Sequence, residues 1–173
     1  MRVTAYLLAS LVAAAPMSAA ADALMDATDP EAVAAIVRGF GSARIGKAAD
    51  DTPMINGRID GTRFAVYFYE CNEKKVECRS VSFSASWATS AVSLEAVNEW
   101  NKVSRFGRAY IDDDGEPVLE YDVNLFLSVT EGNFEDSVDW WRVVLQSFEQ
   151  VVADSGPSEG EDMDEPDPAG IEL

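Results

Sequence analysis

Two short runs of alternating side chains, joined through a pair of cysteines, constrain this chain more than any other feature. TRFAVYFYEC ends on Cys71, CRSVSFSASW begins on Cys78, and the sequence holds no other cysteine. Side chains alternate between the two faces of a strand. Placing Cys71 opposite Cys78 therefore sets a hairpin register in which Phe68 faces Val81, Val66 faces Phe83 and Phe64 faces Ala85. All six are apolar. The opposite face pairs Tyr69 with Ser80, Tyr67 with Ser82 and Ala65 with Ser84. A slip of one residue mixes the two sets, so the cysteine pairing and the hydrophobic pattern support each other. The expectation is a disulfide-stapled antiparallel hairpin with one core face and one face of tyrosine and serine.

A disulfide persists in an oxidising compartment, and the N-terminus predicts one. In MRVTAYLLASLVAAAPMSAAADA, Arg2 precedes an apolar stretch from Tyr6 to Ala15, and Ser18–Ala19–Ala20 supplies small residues for a cut. Residues 1–21 thus read as a cleavable signal peptide, with the cut near Ala20–Ala23. An uncleaved anchor is the alternative, but the apolar stretch falls short of the roughly 20 residues of a span. The expected location is the bacterial periplasm, without stable membrane insertion after cleavage. The six-residue gap between the cysteines is unlike the two-residue spacing of redox pairs. A zinc site needs about four ligands, usually cysteine or histidine, and the chain has no histidine. Histidine-activated serine or cysteine nucleophiles are excluded with it. No metal and no cofactor is expected.

The formal net charge of −18 is unevenly spread. From Gly156 to Leu173, GPSEGEDMDEPDPAGIEL carries seven acidic residues, three prolines and no basic residue. Residues 156–173 therefore read as a disordered acidic tail. It is read as a solubilising end, the alternative being a tail that docks on basic partners. With no basic stripe along an acidic chain, nucleic acid is not an expected partner.

One domain is expected between the signal and the tail. Asp29 N-caps a helix with Pro30 at its first position, and Val33, Ile36, Val37 and Phe40 share one face up to Gly41. Strands follow in SARIGKA and PMINGRI, with a turn at Asp60–Gly61. Ser93 caps a second helix, SLEAVNEWNKVS, with Leu94, Val97 and Trp100 inward. GRAYIDDDGEPVLEYDVNLFLSV predicts a second hairpin around an Asp113–Asp114–Gly115 loop with Gly115 left-handed. That loop sets Arg108 across from Glu120 on the outer face, while Ala109, Ile111, Leu119, Tyr121, Val123 and Leu125 line the core. A calcium loop is excluded, because Tyr110 and Tyr121 stand where oxygen ligands are required. In the last helix, capped by Asn133, Phe134, Val138, Trp141, Leu145, Phe148 and Val152 recur at spacings of four and three. A second stripe of Trp140, Val144 and Val151 is either more core or a partner surface.

The stretches PMINGRIDGTRFAVYFYEC, CRSVSFSASW and SLEAVNEWNKVSRFGRAYIDDDGEPVLEYDVNL, with the aromatic closing helix, resemble the YbjN-domain family of bacteria. The resemblance covers residues 29–153, and VNEWN and RFGRAYIDDDG are its most specific segments. It implies an α+β fold similar to type III secretion chaperones: helix, three or four strands, helix, two strands, helix, the antiparallel sheet flanked by the three helices. Members are described as sensory transduction regulators, and chaperones of that fold hold polypeptide as homodimers. The resemblance carries no catalytic or ligand residue onto this chain.

The function expected is that of an exported, non-enzymatic binding or chaperone-like module of the envelope, with a sensory or regulatory role. Its partner would be a protein or peptide, and a homodimer is an open alternative. The candidate surface is the outer sheet face, Tyr67, Tyr69, Ser80, Ser82, Arg108, Tyr110 and Glu120, with Trp140 on the last helix as a second location. An ordinary solvated face is the competing reading of the tyrosines. Asn98 and Asn101 are read as bracing the turn into Arg105–Phe106–Gly107, with ligand contact as the alternative. The rival function is a small hydrolase using paired carboxylates from Asp112, Asp113, Asp114, Glu120 and Asp122. It requires two carboxyls in one concavity, one with a raised pKa. A homodimeric assembly protein would instead bury Trp140 between subunits.

Overall fold

A computed structural model describes residues 23–156. The expected signal peptide and nearly all of the acidic tail lie outside the described residues. The chain runs β1 (Leu24–Met25), α1 (Pro30–Arg38), β2 (Ser42–Lys47), β3 (Pro53–Ile59), β4 (Thr62–Tyr69) and β5 (Ser80–Ser86). It continues through α2 (Leu94–Val103), β6 (Arg108–Ile111), β7 (Pro117–Asn124), β8 (Val129–Thr130) and α3 (Glu131–Asp154). Six strands form one antiparallel sheet in the order β2-β3-β4-β5-β7-β6, and β1 pairs with β8 in a separate two-stranded sheet. The result is the α+β arrangement implied by the resemblance, with four strands between the first two helices.

The register of β4 on β5 is the one demanded by the cysteine pair. Phe68 lies opposite Val81, Val66 opposite Phe83, Tyr69 opposite Ser80, Tyr67 opposite Ser82 and Ala65 opposite Ser84. Cys71 and Cys78 are joined in a disulfide just beyond these pairs. Between the cysteines, the Asn72 carboxamide oxygen accepts from the backbone N–H groups of Lys74 and Val76, folding the loop into a side-chain-closed turn.

The core lies between the apolar sheet face and the helices. Phe83 sits at its centre, with Trp141 at 5.5 Å, Phe64 at 6.1 Å and Phe134 at 6.3 Å between ring centroids. These separations suit aromatic packing and add to the area that the rings bury. Phe134, Val138, Trp141, Leu145 and Phe148 of α3 are buried, as their spacing predicts. Val144 of the second stripe is buried too, and Val151 packs against the core. Gly115 has φ +83° in the five-residue β6–β7 connection, where Asp112 N–H donates to the Glu116 carbonyl. That geometry is the left-handed loop expected of Asp113–Asp114–Gly115.

Three expectations need correction. Helix α1 ends at Arg38 rather than at Gly41, because the Gly39 N–H bonds back to the Ile36 and Val37 carbonyls and closes the last turn. Leu94 is 67% exposed rather than inward. The contacts that anchor α2, Trp100 Nε1 to Ser147 Oγ and Asn101 to Ala109, lie in its second half, so its first residue is left uncovered. Thr130 rather than Asn133 caps α3: its hydroxyl accepts from the Asn133 N–H, and the pairing of β8 with β1 delivers the chain to that point.

Candidate functional site

The helices occupy one side of the sheet and leave the other open. Successive registers across the six strands set out the open face in rows. One row reads Arg44, Asn56, Ala65, Ser84, Glu120, Arg108, and the next Gly46, Met54, Tyr67, Ser82, Asp122. A shorter row holds Tyr69, Ser80 and Asn124. Seven of the eight surface residues expected from sequence, Tyr67, Tyr69, Ser80, Ser82, Arg108, Tyr110 and Glu120, therefore share this face. Trp140 does not. It lies on α3 against Phe106, ring centroids 4.6 Å apart, and is half-buried there.

The face has relief. Strand β5 contributes Ser80, Ser82, Ser84 and Ser86 as a low floor, and Ser82 is only 4% exposed between Tyr67 and Asp122. Tyr69 is 51% exposed and Tyr67 half-buried. Both line a cleft of about 500 Å³ whose other wall is Asp50 and Thr52 of the β2–β3 connection with Pro53 and Met54 at the start of β3. A concavity of this size, mixing apolar walls with a few polar groups, is within the range of small ligand sites. Asp50 fixes the wall: its carboxylate accepts from the Thr52 N–H and hydroxyl and pairs with Lys75 at 2.9 Å. Those hydrogen bonds, Lys75 first, hold its pKa well below the usual carboxylate range.

Across the floor, Glu120 is bound by Arg108 on one oxygen and accepts from the Tyr110 hydroxyl on the other at 3.1 Å. The Arg108 guanidinium also lies over the Tyr110 ring, 5.7 Å from its centroid. Glu120 raises the pKa of Arg108 through this contact. Burial, and then the Glu120 charge, raises the phenols of Tyr69 and Tyr110, so both remain neutral donors at physiological pH. The face thus offers hydroxyl donors, aromatic surface and one internally neutralised ion pair.

The Arg44–Arg58–Arg63 corner and the cleft wall at Pro53 and Met54 were not anticipated. The missing signal was the register of β3 on β4, which puts Met54 beside Tyr67 and Arg58 opposite Arg63. Asn101 braces, as expected: its carboxamide donates to the Ala109 carbonyl at 2.9 Å and accepts from the Ala109 N–H at 3.0 Å, closing the outer edge of β6. Asn98 lines a shallow hollow on α2.

The sequence profile described as "Putative bacterial sensory transduction regulator", YbjN, matches residues 29–153. The chain belongs to the YbjN family. No curated protein matches it. The matched residues of this YbjN protein include the whole open face, the disulfide and all of α3 but its last residue. The family description is of a regulator rather than an enzyme.

Of the carboxylates proposed for a hydrolase, Glu120 and Asp122 are neighbours on the open face, while Asp112, Asp113 and Asp114 lie in the β6–β7 connection. Asp112 accepts from the Asp114 and Glu116 N–H groups as part of the loop, and Glu120 is tied to Arg108 and Tyr110. A second cleft, about 880 Å³, does bring Asp26, Glu70 and Glu77 together beside the disulfide, Arg79 and Phe126. Asp26, however, accepts from Thr28 and Ser128, and the Thr28 bonds lower its pKa. A general acid needs the opposite shift. Among the described residues no cluster of acidic and cysteine side chains could hold a metal ion. Nor is any described helix long and apolar enough to cross a membrane.

Proposed function

We propose that this YbjN protein is an exported, non-catalytic binding module that holds a polypeptide or peptide on its open sheet face, as part of a sensory or regulatory process in the bacterial envelope. One observation carries the reading: Tyr67 and Tyr69 stand over a serine floor at the mouth of a cleft of about 500 Å³, on a face that the protein's own helices leave uncovered. Aromatic anchors at the edge of a concavity commonly dominate interface energy. A raised phenol pKa keeps the Tyr69 donor available. The N-terminal signal pattern and the disulfide favour the periplasm as the place of action.

The double variant Tyr67→Ser with Tyr69→Ser tests the reading. Neither ring is core, so thermal melts should shift by no more than about 1 kcal/mol. Crosslinking in periplasm should recover a partner with the parent protein and lose it with the variant. Unchanged recovery would refute the face as the site. Destabilisation by several kcal/mol would show that both rings serve the fold.

A further inference from the structure

Six of the described basic residues are paired with carboxylates: Arg38, Lys47, Lys75, Lys102, Arg108 and Arg142. Arg79 and Arg105 lie over the Phe126 and Phe106 rings. Among the described residues Lys74, in the disulfide loop, has neither kind of partner, and neither do Arg44, Arg58 and Arg63, which lie together across β2, β3 and β4. All three arginines are exposed on the open face, and none forms a salt bridge with a described residue. Arg58 and Arg63 are direct cross-strand partners, and Arg44 stands diagonally beside Arg58. Like charges directly opposite on a sheet repel, and here they do so in a chain of formal net charge −18. Such a corner suits an anionic occupant.

The chain supplies one. Residues 157–173 carry seven carboxylates and no basic side chain. They continue from α3, whose C-terminal half is fastened at the same end of the sheet. Gln146 donates to Asp60 at 2.6 Å and Thr62 donates to Glu149 at 2.5 Å. Asp60 lies in the β3–β4 turn and Thr62 opens β4, and Arg58 and Arg63 stand on either side of that turn. Passing from the helix layer around the turn to the open face is roughly 20 Å, a helix diameter plus a strand layer. Seventeen residues reach up to about 60 Å when extended. Reach and charge both match.

We propose that the acidic segment 157–173 docks in cis on the Arg44–Arg58–Arg63 corner of the open sheet face. The docking is electrostatic, and it weakens as salt rises. It needs no external partner, so its test is independent of the polypeptide-binding reading above.

The experiment uses the mature, disulfide-intact chain with a spin label on Met163→Cys, which introduces the only free thiol. At about 20 mM salt, backbone amide signals around Arg44, Arg58 and Arg63 should lose at least half their intensity relative to the reduced, diamagnetic label. The loss should disappear near 0.5 M salt, where the screening length falls to about 4 Å. It should also disappear in Arg44→Gln/Arg58→Gln/Arg63→Gln, and in a second variant with the acidic residues of 159–167 replaced by their amides. The second variant leaves the folded domain untouched, so misfolding of the first cannot hide the answer. Attenuation that is absent, uniform over the surface or unchanged in either variant would overturn the proposal. So would attenuation that arises only between labelled and isotope-enriched copies in a mixture, since that would place the tail on a neighbouring molecule.

Discussion

The inner sheet face holds one contact tight enough for its energetic consequence to be worked out. Gly57 on β3 lies opposite Phe64 on β4, and the Phe64 ring folds over it. A methyl group at residue 57 would stand 2.3 Å from Phe64 Cζ and within 2.7 Å of both Cε atoms. Carbon atoms prefer about 3.5–4.0 Å, so the ring would have to move by more than about 1 Å. It has nowhere to go. Phe64 is 5% exposed, with the fully buried Trp141 and Phe83 rings at 5.7 and 6.1 Å. Overpacking of this kind costs about 1–3 kcal/mol, offset by about 0.5–1 kcal/mol from removing a glycine from a strand. Gly57→Ala should therefore destabilise by about 1–2 kcal/mol.

The same substitution should change sign when the ring is removed. Phe64→Val lacks the Cε and Cζ atoms that meet the new methyl, and it should itself cost a little less than the about 3–5 kcal/mol of a full phenylalanine truncation. In that background Gly57→Ala should stabilise by about 0.5–1 kcal/mol, because only the glycine effect remains. The coupling between the two sites is then about 2 kcal/mol, well outside the additivity expected of independent positions. Urea unfolding of the four proteins, disulfide intact, measures it. Equal destabilisation by Gly57→Ala in both backgrounds would refute the reasoning and place the cost in the backbone of β3.

Two further outcomes are expected. Native protein should present no titratable thiol, and Cys71→Ala with Cys78→Ala should cost about 2–3 kcal/mol, the loop-closure value for so short a loop; a cost below about 0.5 kcal/mol would mean that the Asn72 turn alone holds the segment. The Asp50 pKa is lowered in the folded state, so its stabilising contribution is present above the ordinary aspartate pKa and is lost as pH falls through the folded value. Carboxyl NMR titration should find the Asp50 midpoint below the normal range and should see it rise in Lys75→Met; an unmoved midpoint would assign the shift to Thr52 alone.

The sheet register was legible because two independent signals agreed. The cysteine spacing and the period-two pattern of FAVYF and SVSFSAS admit only one alignment that keeps Phe64, Val66, Phe68, Val81 and Phe83 together. The stripe of α3 was legible for the same reason, sustained over six residues from Phe134 to Val152. Helix ends were less so. Thr130 and Asn133 are both competent caps, and the choice between them is made by the pairing of β8 with β1, which is long-range. Leu94 obeys the period of α2, yet exposure depends on which half of the helix is anchored, and periodicity is silent about that. The cleft beside Tyr67 and Tyr69 escaped because its second wall comes from the β2–β3 connection, where Asp50 and Thr52 form a local turn with no periodic signature.

The composition of the open face bears on whether it is an ordinary solvated surface. A face left only to solvent on a central strand is best served by threonine, tyrosine and long charged side chains, which fit a pleated surface better than serine does. Strand β5 is central, flanked by β4 and β7, and yet presents four serines in succession outward. Across the register, Ser80 and Ser82 have larger neighbours on both sides, Tyr69 and Tyr67 on β4 and Asn124 and Asp122 on β7, whereas Ser84 lies between Ala65 and Glu120. The small serines therefore sit low between the phenol rings of Tyr67 and Tyr69 and the side chains of Asp122 and Asn124, with hydroxyl groups at the base. An extended segment laid there would meet hydroxyl donors and acceptors below and aromatic surface at its side, while the Arg108–Glu120 pair, already satisfied, would need no new counter-ion. Small side chains on β5 cost some strand propensity, and the depth they create is what a solvated face would not require.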